Sequence, residues 1–249
     1  MLVSNPKGNY HFLRGIAPYS AGAVADDGYE IVHVRFYHPV PLSEGFERVR
    51  AHLSTIKRPL HALCGMELRS PQPFTFQGFN EFNAGYVRVL SNWEIVRDNI
   101  NPVARTNVAP ELRAPSTPSL YGFSYTIPSG IKGKTFVVAG AGELPEGSLD
   151  PHDVVRRGET SIDALRAKAQ FVMSLMSARL QGLNVSWERA TTIDVYTVHS
   201  ICGMLVDDIL RPLGSSAIHG VTWHYSRPPI VSIEYEMDVR GCEREIALS

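Results

Sequence analysis

Cysteine is scarce in this chain of 249 residues: Cys64, Cys202 and Cys242 are the only three. They are too few and too scattered for a disulfide framework or a cysteine-rich zinc site, and a reducing cytoplasm is the expected compartment. A charge imbalance is absent too. Lysine plus arginine number 24 against 25 acidic residues, a net charge of -1. Nothing in that balance steers the protein toward nucleic acid or an anionic membrane. Long apolar runs are missing, so no membrane span is expected. The opening "MLVSNPKGNYHFLRG" has no apolar core of the kind that marks a secretory leader. No low-complexity tract interrupts the chain. With 44% hydrophobic and 20% charged residues it reads as an ordinary globular protein, long enough for one large domain or two small ones.

Chemical signatures are equally sparse. "GAG" at 140–142 lacks the third glycine and the following helix of a dinucleotide fingerprint. "EGSLDPHD" does not have calcium-loop spacing. The nine histidines form no HxxxH or HExxH pattern, so no metal site is expected. Cys64 at a helix end reads more simply as a buried thiol than as a nucleophile.

What is present is periodicity. In "SEGFERVRAHLSTIKRPLHALCG", Phe46, Val49, Leu53, Ile56, Leu60 and Leu63 recur at steps of three and four, which marks one helical face. Ser43 is the expected N-cap, Gly65 the stop, and Pro59 a kink or break. "GETSIDALRAKAQFVMSLMSARLQG" repeats the pattern through Ile162, Leu165, Ala169, Val172, Met176 and Leu180, with Gly182 as the stop. Each helix is followed by a strand and a shorter helix, then two more strands. Strands also open each half, "APYSAGAVA" with "YEIVHVRFYH" in the first and "KTFVVAGAG" in the second. The order β-β-α-β-α-β-β therefore runs twice, an internal duplication by pattern. The expected fold class is α+β, with two tandem domains, each a mixed sheet carrying two helices on one face. The seam falls near "TIPSGIKGK", which divides the chain into domains at 1–130 and 131–249. So short a seam predicts that the halves pack on each other.

The second half resembles the Rid (YjgF-type) imine and enamine deaminases. The resemblance runs through "FVVAGAGELPEG", a helix starting at "ETSIDAL", "LNVSWERATTIDVYTV", and a last strand "PPIVSIEYEMDV". In the first half, "GIAPYSAGAV" resembles that family's Gly-Pro-Tyr-Ser opening, "FNEFNAGY" its second helix, and "PVARTNVAP" its Pro-Ala-Arg-Ser/Thr strand. A tandem chain of this length is also similar to a group of 2-aminomuconate deaminases. The resemblance implies a chorismate mutase-like fold, a homotrimer with sites at domain or subunit interfaces, and deamination without a cofactor.

It also implies roles. In the family the arginine of the "ART" strand holds the substrate carboxylate. That position is Arg105 here, flanked by Thr106 and Asn107, and the matching strand of the second half has no arginine. The tyrosine of the family's opening falls on Tyr19, and the plainer reading is a core tyrosine. The family's last strand carries two glutamates. The first, credited with handling water, falls on Ser232, and the second on Glu234. That departure leaves Glu234, or Glu143 at the end of "FVVAGAGE", as the candidate acid or base. A half-buried carboxyl at a strand end can hold a raised pKa. A muconate has two carboxylates, so a second cation is expected, with Arg14 and Arg69 as candidates. Solvated arginines are the plainer reading for both.

The chemistry asks for few groups. A guanidinium fixes the carboxylate, a donor keeps the nitrogen protonated, and an acceptor orients the attacking water. The expected activity is hydrolytic deamination of an enamine or imine carboxylate, 2-aminomuconate or a substituted form, to the 2-oxo acid and ammonia. The alternatives are a chorismate hydrolase of the same fold and a non-catalytic metabolite-binding protein.

Overall fold

The computed structural model describes residues 1–148 and 150–249. Three strands come first, β1 (Leu2–Asn5), β2 (Tyr10–Leu13) and β3 (Gly22–Ala25). Then follow β4 (Tyr29–Pro41), α1 (Leu42–Thr55), β5 (Leu63–Arg69), α2 (Phe76–Asn92), β6 (Ala104–Pro110) and β7 (Ser119–Pro128). The second half holds β8 (Phe136–Gly142), α3 (Ile162–Gly182), β9 (Thr192–Tyr196), β10 (Thr222–His224), β11 (Ser226–Arg227), β12 (Glu236–Gly241) and β13 (Arg244–Leu248).

The helices follow their apolar stripes, and their ends show what stops them. α1 buries Phe46, Val49 and Leu53 but ends at Thr55 rather than Gly65. Lys57 takes a left-handed φ of 56°, and the residues after Pro59 make a single 3₁₀ turn, Leu60–Ala62. The proline ring cannot continue the helix. Ser43 lies inside α1, whose N-cap is Pro41 with no side-chain cap. Genuine caps open the other two. Thr75 Oγ1 accepts from the Gly78 amide at 3.0 Å, and Ser161 Oγ from that of Ala164 at 3.3 Å. The expected second helix of the second half is instead a π turn over Leu205–Leu210 running into 3₁₀ turns over Arg211–His219.

The strands form two mixed sheets, a seven-stranded one in the order β1-β2-β3-β8-β12-β9-β10 and a six-stranded one in the order β11-β6-β5-β7-β4-β13. The α+β class is as expected. The assignment of opening strands is not: "SAGAVA" was expected in the first half's sheet, and β3 pairs with β8 of the second. The exchange is returned by β11 and β13, which add to β6 and β4 of the first half. Strand alternation fixes which side chains face a core but not which edge a strand joins.

The two sheets lie face to face, with the helices outside. α1 and α2 cover the six-stranded sheet through Phe46, Val49, Leu53, Tyr86 and Leu90. α3 covers the other through Leu165, Ala169, Val172, Met176 and Leu180. Between the sheets lie Tyr10, Phe12, Ile31, Ala104, Val137 and Cys242. Small residues on β3, β6 and β8 let the sheets approach there. Among the described residues no helix is long and apolar enough to cross a membrane.

Candidate active site

β6 carries "ARTNVAP" beside β5. Alternation points Ala104 and Thr106 at the facing sheet and Arg105 toward α2. Ala104 packs between the sheets, and Thr106 Oγ1 donates to Asp238 Oδ2 on β12 at 2.6 Å. The Arg105 guanidinium is 2% exposed and boxed by aromatic rings. Its Cζ lies 4.5 Å from the Tyr19 ring centroid, 4.8 Å from Tyr86 and 5.4 Å from Phe79. Such faces attract a cation. Nη2 donates to Asn83 Oδ1 on α2 at 2.7 Å, while Nε and Nη1 have no partner. Two unsatisfied donors on a buried cation are costly to leave that way. Burial pushes its pKa down, against Tyr19, Tyr86 and Glu236, which push it up. An arginine stays charged regardless.

Arg105 opens onto a cavity between the two halves. Tyr19 and Asn107 line it from the first half, and Gly140, Arg179, Ile233 and Glu236 from the second. Glu236, first residue of β12, is 4% exposed. Burial pushes its carboxyl well above the usual range, and Asp238 and Glu143 add to this. The cations Arg179 and Arg105 oppose it without cancelling it. It is a carboxyl held ready to donate a proton. Gly140 makes room for it: a Cβ there would collide with Glu236 Oε1. Asn107 Oδ1 accepts from Ser70 Oγ at 2.9 Å, leaving its Nδ2 without a partner.

A second guanidinium reaches the cavity from α3. Arg179 Nη1 donates to the Ala139 carbonyl at 2.9 Å, and Nε and Nη2 donate to the two oxygens of Glu146 at 3.0 and 3.1 Å. Arg14 and Arg69, expected as candidates for a second cation, do not line this cavity, and Arg179 does. Arg14 is exposed and lines a different surface hollow. Arg69 is buried with its Cζ 3.8 Å above the Tyr121 ring and Nη1 donating to Leu68 O.

The two candidate acids are also placed elsewhere. Glu143 pairs with Lys168 at 2.9 Å, both side chains 0% exposed, and accepts the amides of Glu234 and Tyr235 at 2.7 and 3.0 Å. Its carboxyl is pushed up by burial, with Lys168 opposing. Both oxygens are engaged, and Glu143 does not line the cavity. Glu234 pairs with His199 at 2.9 Å. Glu234 was expected on the last strand from the family resemblance, but the strand starts later. Ser232 has φ 76°, and β12 begins at Glu236. At the start of β12 the two acids spaced by one residue are Glu236 and Asp238, four residues beyond Ser232 and Glu234.

Behind the cavity the polar row of β12 continues inward. Asp238 accepts from Thr106 and from Tyr196 Oη at 3.0 Å, and burial pushes its carboxyl up. Arg240 Nη1 lies 2.8 Å from Asp194 and 3.3 Å from Glu67, and Glu67 also meets His33 at 2.8 Å. Burial pushes Glu67 up, but Arg240 and His33 outweigh it and hold its carboxyl far below the usual range. Among the described residues no group of three or more His, Cys, Asp or Glu converges as a metal site.

A chorismatase of known structure superposes with a TM-score of 0.53 at 10% identity, covering 89% of this chain and 77% of its own. That likeness is one of fold alone, a two-sheet α+β protein, here with a guanidinium and a buried carboxyl in a shared cavity. A family model described as 2-aminomuconate deaminase CnbZ matches residues 2–246. A 2-amino-5-chloromuconate deaminase of Comamonas testosteroni is 46% identical over 244 residues, 97% of this chain and 96% of its own. The chain belongs to the 2-aminomuconate deaminase CnbZ family, enzymes that act on a carbon–nitrogen bond.

Proposed function

We propose that the protein hydrolyses 2-aminomuconate, or a substituted form such as 2-amino-5-chloromuconate, to the 2-oxo acid and ammonia. One observation carries this reading. A buried arginine with two unpartnered donors opens onto a cavity that also holds a buried, protonatable carboxyl. Family membership supplies the substrate class.

Arg105 takes the carboxylate next to the C–N carbon through an unpartnered N–H donor, with the Tyr19 and Tyr86 rings flanking the guanidinium. That fixes the reacting carbon beside Glu236 and removes the entropy of finding it. Glu236 gives its proton to the enamine carbon, and the lone pair of nitrogen moves in to form the iminium. The resulting carboxylate takes a proton from water as the water oxygen bonds to the iminium carbon. Glu236 gives that proton to the carbinolamine nitrogen, ammonia leaves as the C=O forms, and the hydroxyl proton returns to the Glu236 carboxylate. One water is consumed and one ammonia released. No electron acceptor is needed, because a protonated imine is already electrophilic. The fold likeness to a chorismatase brings no substrate with it.

The test is ammonia release from freshly generated 2-aminomuconate by wild type, Arg105→Ala and Glu236→Gln, with folding checked by circular dichroism. The expected result is rapid release that collapses in both variants. Release by wild type no faster than the spontaneous reaction sinks the assignment. Full activity in Arg105→Ala keeps the reaction and removes its anchor.

A further inference from the structure

We infer that Arg179 is the seat for a second carboxylate on the same small molecule, and that Glu146 occupies that seat until the ligand displaces it. The inference rests on the deaminase reading for which end of the ligand reacts, but the dicarboxylate site stands on its own geometry.

The two guanidiniums of the cavity are in different states. Arg105 keeps Nε and Nη1 unpartnered, so it accepts a carboxylate without displacing anything. Arg179 is already filled. Nε and Nη2, the edge that grips a carboxylate with two parallel bonds, hold both oxygens of Glu146. The remaining donor, Nη1, is tied to the Ala139 carbonyl of β8, which fixes the guanidinium to the body of the protein. The arginine side chain is 10% exposed and Glu146 is 45% exposed. Glu146 belongs to the irregular segment after β8, followed by Gly147 at φ 80°. One partner of the pair is thus anchored in the fold, and the other stands half in water on a segment outside the sheets and helices. A carboxylate bound in that way is a stand-in that another carboxylate can replace. Both arginines line one cavity with Glu236 and Tyr19. A ligand with carboxylates at both ends of a short unsaturated chain engages both, and one with a single carboxylate engages Arg105 and leaves Glu146 in place. Discrimination for dicarboxylates follows.

Binding of unreactive probes tests this apart from catalysis. cis,cis-Muconate has two carboxylates, and sorbate is the six-carbon diene with one. Titration calorimetry on wild type, Arg179→Gln and Glu146→Gln gives six affinities. Wild type is expected to prefer muconate. Arg179→Gln is expected to weaken muconate on the order of tenfold, as lost charged hydrogen bonds do, and to leave sorbate unchanged. Glu146→Gln is expected to tighten muconate severalfold, again with sorbate unchanged. Equal weakening of both probes in Arg179→Gln would show that the arginine only holds the segment after β8 in shape. Unchanged or weaker muconate binding in Glu146→Gln, the variant that leaves α3 untouched, overturns the displacement. Wild type that does not distinguish the probes overturns the second seat. If the expected pattern appears while wild type releases no ammonia from 2-aminomuconate, the seat stands and the reaction assignment falls.

Discussion

Neutralising Lys168 decides whether Glu143 is a structural or a reacting carboxylate. The Lys168 ammonium and the Glu143 carboxylate lie 2.9 Å apart with no exposure to water. The same carboxylate receives the amides of Glu234 and Tyr235, the two residues leading into Glu236. Lys168→Met leaves a buried carboxylate with two N–H donors and no counter-ion. Glu143→Gln leaves a buried ammonium with one amide oxygen beside it. Removing one partner of a buried pair costs about 3–5 kcal/mol. The surviving amide bonds place Lys168→Met near the lower end, about 3 kcal/mol, and Glu143→Gln, whose NH2 faces one of the two N–H donors, lies nearer the upper end. The double variant replaces the pair with two neutral side chains of similar volume. It is expected to lose less than the sum of the singles by about 2 kcal/mol or more. Urea unfolding at fixed protein concentration, with an unchanged m-value, measures all three. Ammonia release by the folded double variant then separates the roles. A structural Glu143 predicts kcat/KM within about tenfold of wild type, since only the approach to Glu236 is disturbed. Singles that lose less than about 1 kcal/mol would refute the burial argument. A stable double variant with activity down by about 10²–10⁴-fold, the size of a lost general acid or base, would make Glu143 the reacting group.

Glu236, with its carboxyl raised by burial and by Asp238 and Glu143, binds a proton more tightly folded than unfolded. Its contribution to stability is therefore full below the usual carboxylate range and is lost as pH rises through the folded value, at no more than about 1.4 kcal/mol per pH unit. Glu236→Gln should remove that slope and be more stable than wild type at neutral pH, and superimposable pH–stability curves would count against the buried carboxyl. Gly140→Ala sets a methyl against Glu236 Oε1 and 3.1 Å from Thr106 Cγ2. It should cost about 1–3 kcal/mol in unfolding experiments and lower kcat at least severalfold, and an unchanged kcat would show that the position of Glu236 is not the one the reaction uses.

The stretch "IVSIEYEMDV" shows why Glu236 was less legible as a candidate than Arg105. Residues 232, 234, 236 and 238 share one parity, so alternation alone puts Ser232, Glu234, Glu236 and Asp238 on one face. Only the left-handed turn at Ser232 says where the strand begins, and a serine does not announce that conformation as a glycine would. Arg105 had a distinctive neighbourhood in "PVARTNVAP", and its side chain lines the cavity. The exchange of β3 and β13 between sheets left no mark in their composition, because edge partners are chosen by the whole fold. Helical faces were legible throughout, since their period is local.

The face of α3 held a signal that its apolar period masked. Lys168 follows Leu165 by three and precedes Val172 by four, which sets a cation on the core stripe. Arg179 lies eleven residues further on, about 20° from the same line at 100° per residue. A cation on a buried stripe requires a partner. The segment after β8, "GELPEG", offers two carboxylates three residues apart. Lys168 takes Glu143 and Arg179 takes Glu146. The two pairs differ in water. The first is dry and holds the amides that position Glu236, so breaking it is costly. In the second, Glu146 is half in solvent, where its pairing is weak enough to exchange. One helix thus pins one end of the segment and leaves the other releasable beside the cavity, and burial decides which pair serves the fold and which serves a ligand.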